Sequence, residues 1–154
     1  MTMQLSPALY SDLLTQARQH ARLRVAQLLH QNHAEPVQRM VIAMQAQSYV
    51  RPHRHPLAQH WELVVVLQGE LDVLWFAESG AVLERFRLTT GQGLQTPAGM
   101  WHSIVVPHDA AVFLEVKEGP FVSASAAEFA LFAPEEGAVE VPHYLQSLRT
   151  VSGL

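Results

Sequence analysis

The stretch Tyr49-Val50-Arg51-Pro52-His53-Arg54-His55-Pro56-Leu57-Ala58-Gln59-His60-Trp61-Glu62-Leu63-Val64-Val65-Val66-Leu67-Gln68-Gly69 decides the fold. His53 and His55 stand two apart. Glu62 then opens an apolar run that stops at Gly69. Successive side chains of an extended strand point to opposite faces, so the two histidines share one. Glu62 is placed to face them from the next extended run. Two imidazoles and a carboxylate converging on a point make a site for a divalent metal. His102, behind the turn Pro97-Ala98-Gly99, is the fourth candidate.

The rest of the chain reads as scaffold. Its 154 residues fit one domain. With 49% hydrophobic and 16% charged residues, it can build a core without staples. There is no cysteine, so a bound metal must be held by nitrogen and oxygen. The start, Met1-Thr2-Met3-Gln4-Leu5-Ser6-Pro7, lacks the basic-then-apolar order of a secretory signal. No apolar run is longer than that from Leu63 to Leu67, far short of the roughly 20 residues that span a bilayer. A soluble, cytoplasmic protein without membrane partners is expected. The net charge of −4 argues against a nucleic-acid partner. Residues 1–54 hold six arginines against Asp12 and Glu35, whereas the acidic residues concentrate in 55–154. This leaves two readings open: a basic face for an anionic ligand, or a basic segment packed on an acidic body.

Ser6-Pro7 is a helix start, and Leu9, Leu13, Leu14 and Ala17 follow at helical spacing, which predicts a helix over 7–20. The pattern leaves open whether it runs on to Leu29 or breaks near Ala21 and becomes extended. From Val37 onward, short β-rich runs alternate with turn residues: 37–46, 61–68, 70–76, 81–89, 101–106 and 110–117. Glu78-Ser79-Gly80 reads as a hairpin loop. This pattern predicts a mainly β protein, a sandwich, jelly roll or small barrel. A short helix is expected over 125–131 and an irregular tail over 132–154. The expected organisation is an N-terminal helical segment (1–36), a β-barrel (37–122) and a C-terminal segment (123–154).

The motifs resemble those of the cupin superfamily. His53-Arg54-His55, Glu62 and Gly69 match its first motif, and Gly91, Pro97, Gly99 and His102 match its second, in register. Three departures stand out. The His55–Glu62 gap is lengthened by the segment Pro56–Trp61, which makes His60 a rival ligand to Glu62. The leading glycine of the first motif is missing, and Val106 replaces the asparagine of the second. A narrower resemblance covers roughly residues 20–137. It runs through Arg22-Leu23-Arg24, Gln38-Arg39-Met40, Ser48 to Pro56, Trp61-Glu62, Pro97 to Ser103, Leu114 to Phe121 and Ala133-Pro134-Glu135. These segments are similar to the WbuC-type cupin-fold metalloproteins, associated with bacterial surface-polysaccharide gene clusters. The resemblance implies a cupin (double-stranded β-helix, or jelly-roll barrel) with an N-terminal α-helical segment. It also implies one divalent ion on His53, His55, Glu62 and His102.

That donor set suits zinc, iron, manganese or nickel. Arg22, Arg24, Arg39, Gln45, Tyr49, Arg51 and Glu115 are candidates for contacts to the ligands or the substrate. Arg22 and Arg24 have the geometry to clamp a phosphate or carboxylate. Glu115 interrupts an apolar run and is expected to point inward. Val64, Val66 and Ile104 would line the barrel, with Trp61 and Trp101 on its outer side. The expected ligand is a small molecule, anionic or sugar-like. The leading expectation for function is metal-assisted isomerisation or epimerisation of a sugar or nucleotide-sugar. The alternatives are a metal-dependent dioxygenase and a non-catalytic sugar-binding or sensing protein. Exposed edge strands need covering, and a homodimer is the expected assembly.

Overall fold

A computed structural model describes residues 3–151; the ends of the N- and C-terminal segments, Gly153 among them, lie outside these. In chain order the elements are α1 (Pro7–Gln19), β1 (Arg24–Leu28), β2 (Val37–Gln45), β3 (His53–Arg54), β4 (Glu62–Gln68), β5 (Glu70–Phe76) and β6 (Val82–Thr89). They continue with β7 (Gly93–Thr96), β8 (Trp101–Val105), β9 (Ala110–Glu118), α2 (Ser123–Ala126), β10 (Glu128–Phe129) and α3 (Val141–Thr150).

The strands form two five-stranded sheets, ordered β1-β2-β9-β4-β7 and β10-β3-β8-β5-β6, in which every pairing is antiparallel. Met44, Val64, Val66, Leu71, Val73, Ile104 and Phe113 fill the space between them. Alternation does the sorting. On β2, Met44 faces this core, while Val41 and Ala43 face the other way and bury Leu13, Leu14 and Ala17 of α1. On the far side, Leu145 and Leu148 of α3 pack over Leu74, Phe76, Trp101 and Val105. The sheets are thus covered by one helix each.

Ser6 caps α1 as the sequence predicts, through Leu9 N. The helix stops at Gln19, and the chain turns extended by Arg24, with Leu23 at φ 55°. Two expectations are corrected. Residues 125–131 are not one helix: α2 ends at Ala126, and β10 follows to pair with β3. The tail carries α3, because Pro142 sits in the first turn, where proline favours a helix start. The short strand β7 escapes the sequence pattern but pairs along β4. No helix among the described residues is long and apolar enough to cross a membrane.

Candidate metal centre

His53 is brought to His102 by the β3–β8 ladder, where the two are Cα partners. Glu62 opens β4 in the opposite sheet and points into the barrel, with only 4% of its surface exposed. His55 lies just past β3. One donor atom from each of His53, His55, Glu62 and His102 falls within 4.8 Å of all the others. The residues Pro56–Gln59 between His55 and Glu62 are an exposed turn, closed by a bond from His60 N to Leu57 O. That turn absorbs the extra length of the gap. His60 stands outside the group of four, in a surface cleft with Trp61 and Phe121.

Each of the three rings is fixed from behind. Nδ1 of His53 lies 2.9 Å from Arg51 O, that of His55 2.6 Å from Ala126 O, and that of His102 2.9 Å from Met100 O. A carbonyl only accepts, so each Nδ1 carries the proton; the Nε2 lone pairs of His53 and His102 are left facing the interior, while Nε2 of His55 donates to the Glu62 carboxylate. His55 Nε2 lies 3.0 Å from Glu62 Oε2. His102 Nε2 is 3.6 Å from Glu62 Oε1 and has no hydrogen-bond partner, although His102 is 1% exposed. An orphaned buried nitrogen is expensive. A divalent ion would satisfy it, and the three-nitrogen, one-carboxylate set fits such an ion.

The electrostatics agree with that fit. Burial, helped by the nearby His102, pushes His53 down from 6.5 to about 3, so its imidazole is neutral and ready to ligate. Burial alone would lower His55, but the hydrogen bond and charge of Glu62 outweigh it and raise the group. Burial alone would raise Glu62. The imidazoles of His102 and His55 reverse this and hold the carboxyl well below its ordinary range.

His53, His55 and Glu62 open onto a cavity of about 140 Å³. Val50, Ile104 and Phe113 supply apolar walls; Arg24, Glu115 and Lys117 supply charge. Lys117 Nζ is 2.8 Å from Glu115 Oε1. Burial, then the charge of Glu62, raises the Glu115 carboxyl, and the two carboxylates together raise Lys117 against its own burial.

The other candidates divide. Arg22 and Arg24 lie at the mouth of this cavity and hold Glu136. Arg51 lies there too, bonded to Ala130 O. Arg39 is elsewhere, 3.0 Å from Glu35 on the surface. Gln45 turns its amide to Leu14 O on the α1 side. Tyr49 is packed beneath α3 outside the barrel, its hydroxyl donating to Pro134 O. Alternation and local packing carry these three side chains away from the cluster. Trp101 takes the outer position expected of it, with the Arg54 guanidinium 4.4 Å over its ring, but Trp61 is half-buried in the surface cleft rather than in outer packing. Arg22, Arg24, Arg51 and Arg54 all pair with glutamates of the acidic second half.

Lys117 was not among the residues singled out by sequence. The signal was there: it stands two after Glu115 on β9 and so shares its face, and it is the Cα partner of Glu62 across the ladder. Glu136 had no such signal, since nothing local ties its loop to β1.

Two antiparallel sheets closed around a histidine-carboxylate cluster able to hold a metal define the cupin fold. The structure resembles a cupin 2 conserved barrel domain protein from Leptotrichia buccalis (TM-score 0.50, 19% identity, 62% of this chain and 41% of that one). It also resembles KdgF from a Halomonas species (0.51, 18%, 66% and 82%). A third similar structure is oxalate decarboxylase from Bacillus subtilis (0.52, 20%, 62% and 24%). At these identities the likeness is one of fold. Residues 5–88 match the model of the family described as domain of unknown function DUF6016, and the chain belongs to that family. No curated protein matches the sequence.

Proposed function

We propose that this protein is a metal-dependent isomerase or epimerase of a sugar or nucleotide-sugar, working in surface-polysaccharide metabolism. One observation carries the reaction type: Glu115, a buried carboxylate with a raised pKa, lines the same cavity as the three-histidine, one-glutamate cluster. The likeness of the sequence to WbuC-type cupins supports the substrate class. His53, His55, Glu62 and His102 would hold the ion. A divalent ion bound there supplies Lewis acidity to a substrate carbonyl.

Glu115 is placed to take the proton from the carbon next to that carbonyl, because a base works best when its pKa approaches the working pH. The C–H bond breaks, the proton passes to Glu115, and the electron pair moves toward the carbonyl oxygen. Lys117 offsets the charge gathering in the pocket. Return of the proton to the former carbonyl carbon, as the adjacent hydroxyl proton crosses to the former carbonyl oxygen, gives isomerisation; in epimerisation the same carbon takes its new proton from a water on the opposite face. The apolar walls keep bulk water from competing and strengthen each charge inside.

Aldoses, ketoses and nucleotide-linked keto sugars, incubated with protein in D2O, are expected to lose a C–H signal next to the carbonyl by NMR. Glu115→Gln should cut that exchange by about 10²–10⁴-fold while leaving metal content unchanged. Full exchange in Glu115→Gln overturns the assignment. A second reading, a dioxygenase, draws on the same donor set, which suits ferrous ion equally. Oxygen uptake that depends on ferrous ion would mark it.

A further inference from the structure

Arg22 and Arg24 flank the entrance to β1, and both line a wide mouth of about 480 Å³ that shares His53, His55 and Lys117 with the inner cavity. Arg24 reaches into the inner cavity as well, and its side chain is only 15% exposed. Its Nη1 is well used, donating to Tyr49 O at 2.9 Å and Ser48 Oγ at 3.1 Å. Its Nη2 meets nothing better than Glu136 Oε2 at 3.4 Å. The same carboxylate sits in the fork of Arg22, at 2.6 Å from Nε and 2.9 Å from Nη2. Arg51 completes the rim, with a buried Nε that has no partner and Glu135 no nearer than 3.9 Å.

Three guanidinium groups thus surround one opening, and adjacent carboxylates on a single loop, Glu135 and Glu136, answer them. Burial and the neighbouring Arg22 make Arg24 a destabilised cation, one that a closer anion would relieve. We propose that Arg22 and Arg24 form an oxyanion subsite for a carboxylate or phosphate of the substrate, occupied in the free protein by Glu136. The incoming group displaces Glu136. The exchange is cheap on one side and favourable on the other. The Arg22–Glu136 pair is exposed, and exposed pairs contribute little. An oxyanion gripped by two guanidinium forks at the edge of a partly dry cavity gains charge-assisted, bidentate bonds. The inference rests on the reading of the cavity as a substrate site, and it sets that substrate's anionic end about the rim with its reactive end at the ion.

The test uses the full chain, stripped of metal, titrated by calorimetry with inorganic phosphate and separately with acetate. Glu136→Gln removes the internal competitor and is expected to tighten anion binding about tenfold, while Arg22→Ala and Arg24→Lys weaken it about tenfold or more. Arg24→Lys keeps the charge and loses the fork, and melting curves confirm that each variant is folded. Tighter binding of phosphate than acetate assigns a phosphate group; the reverse assigns a carboxylate. Affinity unchanged in Glu136→Gln, or anion binding that survives both arginine changes, overturns the proposal. So does failure of both anions to bind Glu136→Gln. No turnover enters this measurement, so its outcome is separate from that of the isomerase assay.

Discussion

His53 and His102 are direct partners across the β3–β8 ladder, and their ring centroids lie 4.4 Å apart. The register of that pairing places both imidazoles inside the barrel. A slip of one residue in β8 would turn His102 outward and bring Trp101 in.

His102→Ala is therefore expected to lower zinc affinity by at least about 100-fold, more than the loss of a supporting contact does. Competition with a chromophoric chelator measures it. The fold should survive, because the lost ring leaves the surrounding strands paired, and circular dichroism checks this. Zinc affinity equal to that of the unaltered protein would remove His102 from the donor set.

Acid and alkali should act on the metal-free protein through different histidines. His53 is depressed from 6.5 to about 3 in the folded chain. Between those values the unfolded chain binds a proton that the folded chain refuses, so stability falls as pH drops from 6.5 toward 3. His55 is raised, so its contribution is complete below 6.5 and is lost as pH climbs through its folded value. Urea midpoints of the metal-free protein should fall between about pH 6.5 and pH 4.5, and His53→Gln should flatten that limb. An equally steep limb in the variant would contradict the depressed value.

Lys117 and Glu115 should show strong coupling in a double-mutant cycle. Lys117→Met leaves Glu115 buried beside Glu62 without its cation, a loss of about 3–5 kcal/mol at neutral pH. Lys117→Met with Glu115→Leu removes the orphaned charge and should recover most of that loss. Additive losses in chemical denaturation would show that the two do not act as a pair.

Two motif glycines should respond unequally to alanine. Gly69 has φ +85°, and an added Cβ would lie 2.6 Å from Ala110 O, a backbone atom. Gly69→Ala should cost about 2–3 kcal/mol. Gly99 has φ +79° but open space around it, so Gly99→Ala should cost only about 1 kcal/mol. Equal shifts in thermal midpoint would show that the contact with Ala110 does not matter.

The four cluster residues were legible because the pleat converts spacing into direction: His53 and His55 by their two-residue step, Glu62 by the apolar run it opens. Gly69 and Gly99 punctuated the strands through backbone conformations open to few other residues. What escaped notice depended on partners far away in the chain. Gly93–Thr96 becomes a strand because Glu62–Val65 offers it a ladder, and Glu128–Phe129 because His53–Arg54 does. The last helix was hidden by Pro142, which breaks helices in their interiors and begins them at the first turn. Glu136 entered the site only through folding, since no periodicity relates it to Arg22 or Arg24.

The carbonyl of Ala126, at the end of α2, holds the proton-bearing nitrogen of His55. The segment after β9 therefore acts as an anchor for a ring on the opposite side of the barrel. A change confined to α2 would leave α3 seated over Leu74, Phe76, Trp101 and Val105, keep the core closed, and still let that imidazole rotate or change tautomer. Ion capture and barrel integrity should come apart under a single nick near α2, because the covering helix keeps its seat on the sheet while the ring loses its tether.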